Sequence, residues 1–179
     1  PLALAQANEV RNKLLSLDQI DPEKVKIEII KTSGDMFLNT SLSKIGGKGL
    51  FTKEIQQALI DKRIDIAVHS MKDVETDLPE KLVISTILKR EDVRDSFISR
   101  RYSSIADLPL GSVVGTSSLR RKAQLLNKRK DLKVVEFRGN VQKRLEKLDN
   151  NVAVATFLAT AGLNRLGLVE LINPISTDE

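Results

Sequence analysis

The run Gly115-Thr116-Ser117-Ser118-Leu119-Arg120-Arg121 places three hydroxyl residues at the mouth of a predicted helix and two arginines in its first turn. Free backbone N–H groups, the positive end of the helix dipole and a guanidinium fork together suit a carboxylate or phosphate. Arginine in a first turn opposes the dipole, so the arrangement calls for a nearby anion. Arg138, at the end of the next predicted strand, and Arg144, in the helix after it, could face the same way, and four arginines on one face would clamp a polycarboxylate. The competing reading makes Ser117 or Ser118 an ordinary N-cap and leaves both arginines in solvent.

A second cluster, His69-Ser70-Met71-Lys72-Asp73, follows a short apolar run. Lys72-Asp73 at a strand end is where an acid-base or cation-stabilising group would be held firmly; a surface ion pair is the alternative. His69, the single histidine, reads as a structural residue rather than a catalyst. Gly46-Gly47-Lys48-Gly49 lacks the G-x-x-x-x-G-K-[ST] spacing of a nucleotide P-loop and reads either as a lysine-bearing flap or as a plain flexible turn.

Composition narrows the chemistry. The 179 residues contain no cysteine and one histidine, which removes disulfides, thiolate zinc sites, cysteine nucleophiles and a histidine-rich metal centre from this chain. Neither kind of metal centre is open to this chain. The most apolar stretch, Asn151 to Gly162, is shorter than the roughly 20 residues of a membrane helix, so no membrane partner is expected. The net charge of +5 is unevenly spread: Ser117 to Leu148 holds eleven basic residues against three acidic ones. Aromatic residues make up only 3%, leaving few platforms for stacking bases, and the arginine-rich helix lies between strands rather than in a helix-turn-helix. Nucleic acid is therefore not an expected partner. The chain begins at Pro1 without Met, which reads as a processed product or a piece of something longer, the missing Met favouring a piece.

The elements that would position these clusters alternate short strands with helices, an α/β pattern. An opening helix carries Leu2, Leu4, Val10, Leu14 and Leu15. Strands are predicted at Lys24–Lys31, Ile64–Val68 and Lys81–Leu88, with a helix at Phe51–Asp61. After the charged stretch Lys89 to Asp95 come strand Ser96–Ser99, the turn Leu108-Pro109-Leu110-Gly111, strand Ser112–Val114, helix Leu119–Lys128, strand Leu132–Phe137, helix Val141–Leu148, strand Val152–Phe157 and a last helix around Gly162 to Ile172. Two small α/β domains, residues 1–89 and 95–176, are expected with a cleft between them, because ligands in such sheets sit beyond the carboxyl ends of the strands.

The ordered segments PLALAQA from Pro1, SLSKIGGKGLFTKE from Ser41, DIAVHSMKDV from Asp65, REDVRDSF from Arg90, VVGTSSLRRKAQL from Val113, EFRGNVQKRLEKLD from Glu136 and ATAGLNRLGL from Ala159 resemble the porphobilinogen deaminase (hydroxymethylbilane synthase) family across nearly the whole chain. The resemblance implies a cytoplasmic, monomeric transferase of haem and porphyrin biosynthesis. It would join four porphobilinogen units head to tail, with loss of ammonia, into the tetrapyrrole hydroxymethylbilane on a dipyrromethane cofactor. It gives Asp73, with Lys72, the catalytic work, a fixed carboxylate stabilising the cationic pyrrole that forms when ammonia leaves. Lys48, Thr116, Ser117, Ser118, Arg120, Arg121, Arg138, Arg144, Leu158, Ala159 and Gly162 would bind the cofactor, and Lys44, Phe51 and Arg165 the substrate. Every pyrrole carries an acetate and a propionate, so the growing polypyrrole is a polycarboxylate that needs a basic surround.

Two positions depart from the family pattern: Glu75 stands where proline follows Lys72-Asp73-Val74, and Val93 where proline is frequent. Against the family's length, the arginine and serine before Pro1, the returning strand of the first domain and the third domain with its cofactor-bearing cysteine are expected to be missing, and the fragment alone to be inactive. The layout also resembles type II periplasmic binding proteins, which offers a small-anion binding module as a competing function. Nucleic-acid binding through the basic segment is the third.

Overall fold

The structure, a computed structural model, describes residues 1–33 and 52–176. The chain divides into two compact units, Pro1–Lys89 and Arg90–Glu179.

The first unit carries helices α1, Leu2–Leu15, and α2, Lys53–Ile60. Gln6 on α1 donates from Nε2 to Ser70 Oγ at 2.9 Å, tying the helix to the segment before Lys72. α2 buries Ala58 completely. The chain leaves α2 through Lys62, whose φ of 56° lets the Arg63 N–H return to the Ala58 carbonyl at 2.9 Å. Alternation at Lys24–Lys31, Ile64–Val68 and Lys81–Leu88 predicts strands, yet none of the three is one, and the first unit has no strand among its described residues. A strand exists through the ladder it shares with a partner. No described residue supplies that ladder here, and Ile29, Ile66, Val83 and Ile87 are left exposed.

The second unit is built on a four-stranded sheet in the order β1 (Asp95–Ser99), β4 (Ala155–Ala159), β2 (Val113–Gly115), β3 (Lys133–Val135). β2 is parallel to β3 and to β4, and β1 is antiparallel to β4. Neighbouring residues in a strand point to opposite faces, and the core follows that rule. Phe97 and Phe157 enter one cluster with Val114 and Leu125, whereas Ile98 and Leu158 enter a second with Phe137, Leu148 and Leu163. Helix α3, Leu119–Lys128, thus covers one face through Leu125. Helices α4, Val141–Asp149, and α5, Thr160–Arg165, cover the other through Leu148 and Leu163.

Local chemistry sets the helix ends. Ser118 Oγ accepts from the Arg121 N–H to cap α3, and Asn140 Oδ1 accepts from the Lys143 N–H at 2.9 Å to cap α4. The expected last helix around Gly162 to Ile172 is instead short. α5 stops at Arg165 because Gly167 takes φ +70°, Gly167 N–H bonds Asn164 O and Leu168 N–H bonds Leu163 O. Those two bonds form a Schellman cap, and only the 3₁₀ turn Val169–Leu171 follows. β4 begins at Ala155 rather than Val152, since Asn151 has φ +55° and Val152 is exposed.

The directions of the strands position the site. β2, β3 and β4 run the same way, so Gly115, Val135 and Ala159 end on one edge. Antiparallel β1 brings its first residue to that edge, with Asp95 paired to Ala159.

Candidate functional site

The segment after β2 is held by its own hydroxyls. Thr116, almost fully buried, accepts at Oγ1 from the Ser118 N–H at 3.1 Å, and Ser117 Oγ accepts from the Phe137 N–H at 2.9 Å. With the Ser118 cap, each hydroxyl serves as an acceptor for backbone, which leaves the O–H protons to donate elsewhere. The Ser117 bond also joins the β2–α3 turn to the segment after β3, where Arg138 stands. Gly115 makes this approach feasible, because a Cβ there would lie 2.3 Å from the Phe137 ring.

Two bonds shape the backbone around Arg138. Lys147 on α4 donates from Nζ to the Arg138 carbonyl at 3.0 Å while lying 5.6 Å from the centre of the Phe137 ring. Arg144, also on α4, donates from Nε to the Gly139 carbonyl at 2.9 Å. Arg144 is half-buried and makes no ion pair with a described residue. Burial lowers its pKa, and the neighbouring charges of Arg121 and Arg138 lower it further. Arg121 and Arg138 thus both lie within electrostatic range of Arg144, beside the edge formed by the strand ends.

Arg120 and Arg121 are not simply solvated. Asp95 takes Arg121 in a side-on grip, from Nε at 3.0 Å and from Nη2 at 2.7 Å, and accepts from Arg120 Nη2 at 2.8 Å. Arg121 Nη1 donates to the Phe157 carbonyl at 2.9 Å, and Arg120 Nη1 to Gln124. Burial pushes the Asp95 carboxyl up, but the hydrogen bonds and charges of the two arginines outweigh it and hold the group below its ordinary value. The anion that the first-turn arginines call for is thus in part supplied by the chain. Asp95 escapes a sequence reading because it closes a charged stretch and meets Arg121 across 26 positions; its place directly before an apolar strand is the one available signal.

The remaining expected residues divide sharply. Ala159 ends β4 beside Asp95, and Arg165 closes α5 half-buried. Leu158 and Gly162 are buried, the Leu158 side chain in the core. Lys72 and Asp73 lie in the first unit on the 3₁₀ turn Met71–Asp73, both exposed and not paired with each other or with a described residue. Asp73 acts on half-buried His69, whose pKa is lowered by burial and partly restored by that charge. Glu75 accepts from buried Thr52 Oγ1 at 3.5 Å. Lys44, Lys48, Phe51 and the glycine-rich flap lie outside the described residues. Among the described residues no helix is long and apolar enough to cross a membrane, and no group of three or more His, Asp or Glu could hold a metal ion.

A half-buried guanidinium within range of two like charges is stabilised by an anion, and Asp95 meets Arg121 but makes no ion pair with Arg144. The family model described as "Porphobilinogen deaminase, dipyromethane cofactor binding domain" matches residues 1–179. The chain is 58% identical over 170 residues to the porphobilinogen deaminase of Paracoccus denitrificans, covering 95% of this chain and 54% of that one. It is 58% identical over 182 residues to the chloroplastic porphobilinogen deaminase of Oryza sativa subsp. japonica, covering 100% and 51%, and 48% identical over 181 residues to that of Campylobacter hominis, covering 99% and 58%. The chain spans about half the length of the curated relatives it matches.

Proposed function

Since the chain belongs to the porphobilinogen deaminase family, we propose that it is the segment of a transferase that joins porphobilinogen units head to tail, releasing ammonia, to make hydroxymethylbilane for tetrapyrrole synthesis. The observation that carries the reading is the edge where Arg144, held by the Gly139 carbonyl, lies within range of the charges of Arg121 and Arg138 beside the capped start of α3.

A dipyrromethane, when bound, supplies a primer of pyrrole rings with acetate and propionate side chains. Arg138 and Arg144 hold those carboxylates through charge-assisted hydrogen bonds, with Arg121 as a third cation. Thr116, Ser117 and Ser118 donate their O–H protons, the backbone of Ala159 borders the same strand ends, and Arg165 takes a carboxylate of the incoming substrate. Lys44 and Lys48 add cations from the glycine-rich segment. Asp73 accepts from ring N–H groups and offsets the positive charge that develops as ammonia leaves, Lys72 standing beside it. An exposed carboxylate without a competing partner among the described residues suits that task. The chain has no cysteine, so a thioether anchor for the primer must come from outside these residues, and the 179 residues alone bind without turning over. The enzyme is proposed to act as a cytoplasmic monomer with no membrane partner, and with no nucleic-acid partner because the chain's few aromatic residues leave few platforms for stacking bases.

The test is ammonia release from porphobilinogen by the intact enzyme, this segment completed to the length of its relatives. Asp73→Asn is expected to cut turnover by about 100-fold or more, the range of lost acid-base and charge stabilisation. Near-normal turnover overturns the assignment.

A further inference from the structure

We propose that Asp95 is a positioning residue, the carboxylate that sets the Arg121 guanidinium for anion recognition; the inference rests on the polycarboxylate reading above. Four observations converge on it. The grip is side-on and two-point, through Nε and Nη2, the geometry that fixes a planar guanidinium in orientation as well as place. Both side chains are well sheltered, Arg121 at 14% exposure and Asp95 at 15%. The Asp95 backbone is itself anchored, by its pairing with Ala159 and by the Ile175 N–H on its carbonyl at 2.8 Å. Finally, Arg121 lies close enough to lower the pKa of Arg144, so where Asp95 puts it matters to the cations of the site.

A guanidinium has five N–H donors. Asp95 takes one on Nε and one on Nη2, and the Phe157 carbonyl takes one on Nη1. Two are left, one on each Nη, in an orientation that Asp95 and Phe157 have already fixed. Without the Asp95 charge, which Arg120 shares, nothing among these bonds would offset the like charge of Arg144, and Arg121 would turn toward solvent. Asp95 therefore permits three cations to be gathered beside the strand ends before any ligand arrives.

The experiment titrates the 179-residue chain with a free dipyrromethane bearing two acetates and two propionates. It also follows the Arg121 Nε–H signal by NMR, with Arg129, gripped by Asp131, as an internal control. Asp95→Asn is expected to weaken the probe by about tenfold or more and to abolish the slow water exchange of the Arg121 signal while sparing Arg129. In an Arg121→Ala background, Asp95→Asn should cost little further affinity. Unchanged affinity in Asp95→Asn, or an equal loss with and without Arg121, overturns the proposal. If the wild-type chain binds no probe, the polycarboxylate reading fails, and the Arg121 signal alone decides the positioning: retained protection in Asp95→Asn refutes it, lost protection supports it. Should Asp95→Asn not fold, Asp95→Glu keeps the charge on a longer arm, and full probe affinity in that variant overturns the proposal.

Discussion

Lys147 donates from Nζ to the Arg138 carbonyl at 3.0 Å and lies over the Phe137 ring, so a residue nine positions downstream fixes the backbone that presents Arg138. The same cation satisfies a carbonyl in an irregular segment and meets the face of an aromatic ring, two modest contributions that add.

Lys147→Met keeps the aliphatic stem and removes both contributions. We expect it to destabilise the chain by about 1 to 2 kcal/mol in urea unfolding and to weaken the dipyrromethane probe at the same time. A variant as stable as the parent would show that neither contact matters.

Gly115→Ala drives a methyl group into the Phe137 ring, 2.3 Å from the Cβ position. Phe137 is fully buried, so the ring has nowhere to retreat, and overpacking of this kind costs about 1 to 3 kcal/mol. Trimming the ring in Gly115→Ala/Phe137→Leu should recover part of the loss. A double variant less stable than Gly115→Ala alone would place the cost elsewhere.

Arg144 separates binding from stability. Its half-buried charge lies within range of Arg121 and Arg138, so Arg144→Gln relieves repulsion in the free chain against the lost bond to the Gly139 carbonyl and is expected to leave the melting temperature nearly unchanged. The same change should weaken the probe by about tenfold or more, the worth of a lost charge-assisted pair. A variant that melts lower and binds normally would assign Arg144 to the scaffold.

Acid sensitivity follows from Asp131. Hydrogen bonds from Arg129 hold its carboxyl down to about 2, against an ordinary value of 3.8, with burial opposing and the Gly111 N–H assisting. A folded-state pKa below the unfolded one means that the stabilisation is complete above pH 3.8 and is lost as the pH falls through that value toward about 2. Melting curves of Asp131→Asn should therefore converge with those of the parent at the acid end and fall below them at neutral pH. A constant gap between the two down to about pH 2 would remove this pair from the acid response.

How far the sequence reveals the fold differs between the two units. Helix α3 is legible from Leu119 to Lys128, because a serine cap and an apolar repeat are local signals. The strands of the second unit are legible to within a few residues, each being matched by a neighbour that the same unit supplies. The expected strands of the first unit fail for the opposite reason: alternation at Ile29 or Val83 announces a face, but pairing decides whether a strand forms. The hydroxyls and arginines of the site are visible as a motif. What the motif hides is Asp95, since a partner 26 positions away across a sheet leaves no spacing to read, and Lys147, which acts through its position over Phe137 rather than through any pattern. Gly167, which ends α5 early, is legible as a glycine, though an apolar repeat running on to Ile172 masks its meaning.

The most direct measurement of the central claim is calorimetric titration of the wild-type chain with two probes, the free dipyrromethane carrying two acetates and two propionates, and the same dipyrromethane with its carboxylates esterified. A cationic edge built around Arg121, Arg138 and Arg144 predicts that the free acid binds and weakens steeply with added salt, whereas the ester does not bind. Equal binding of the two, or none of the free acid at low salt, would contradict it.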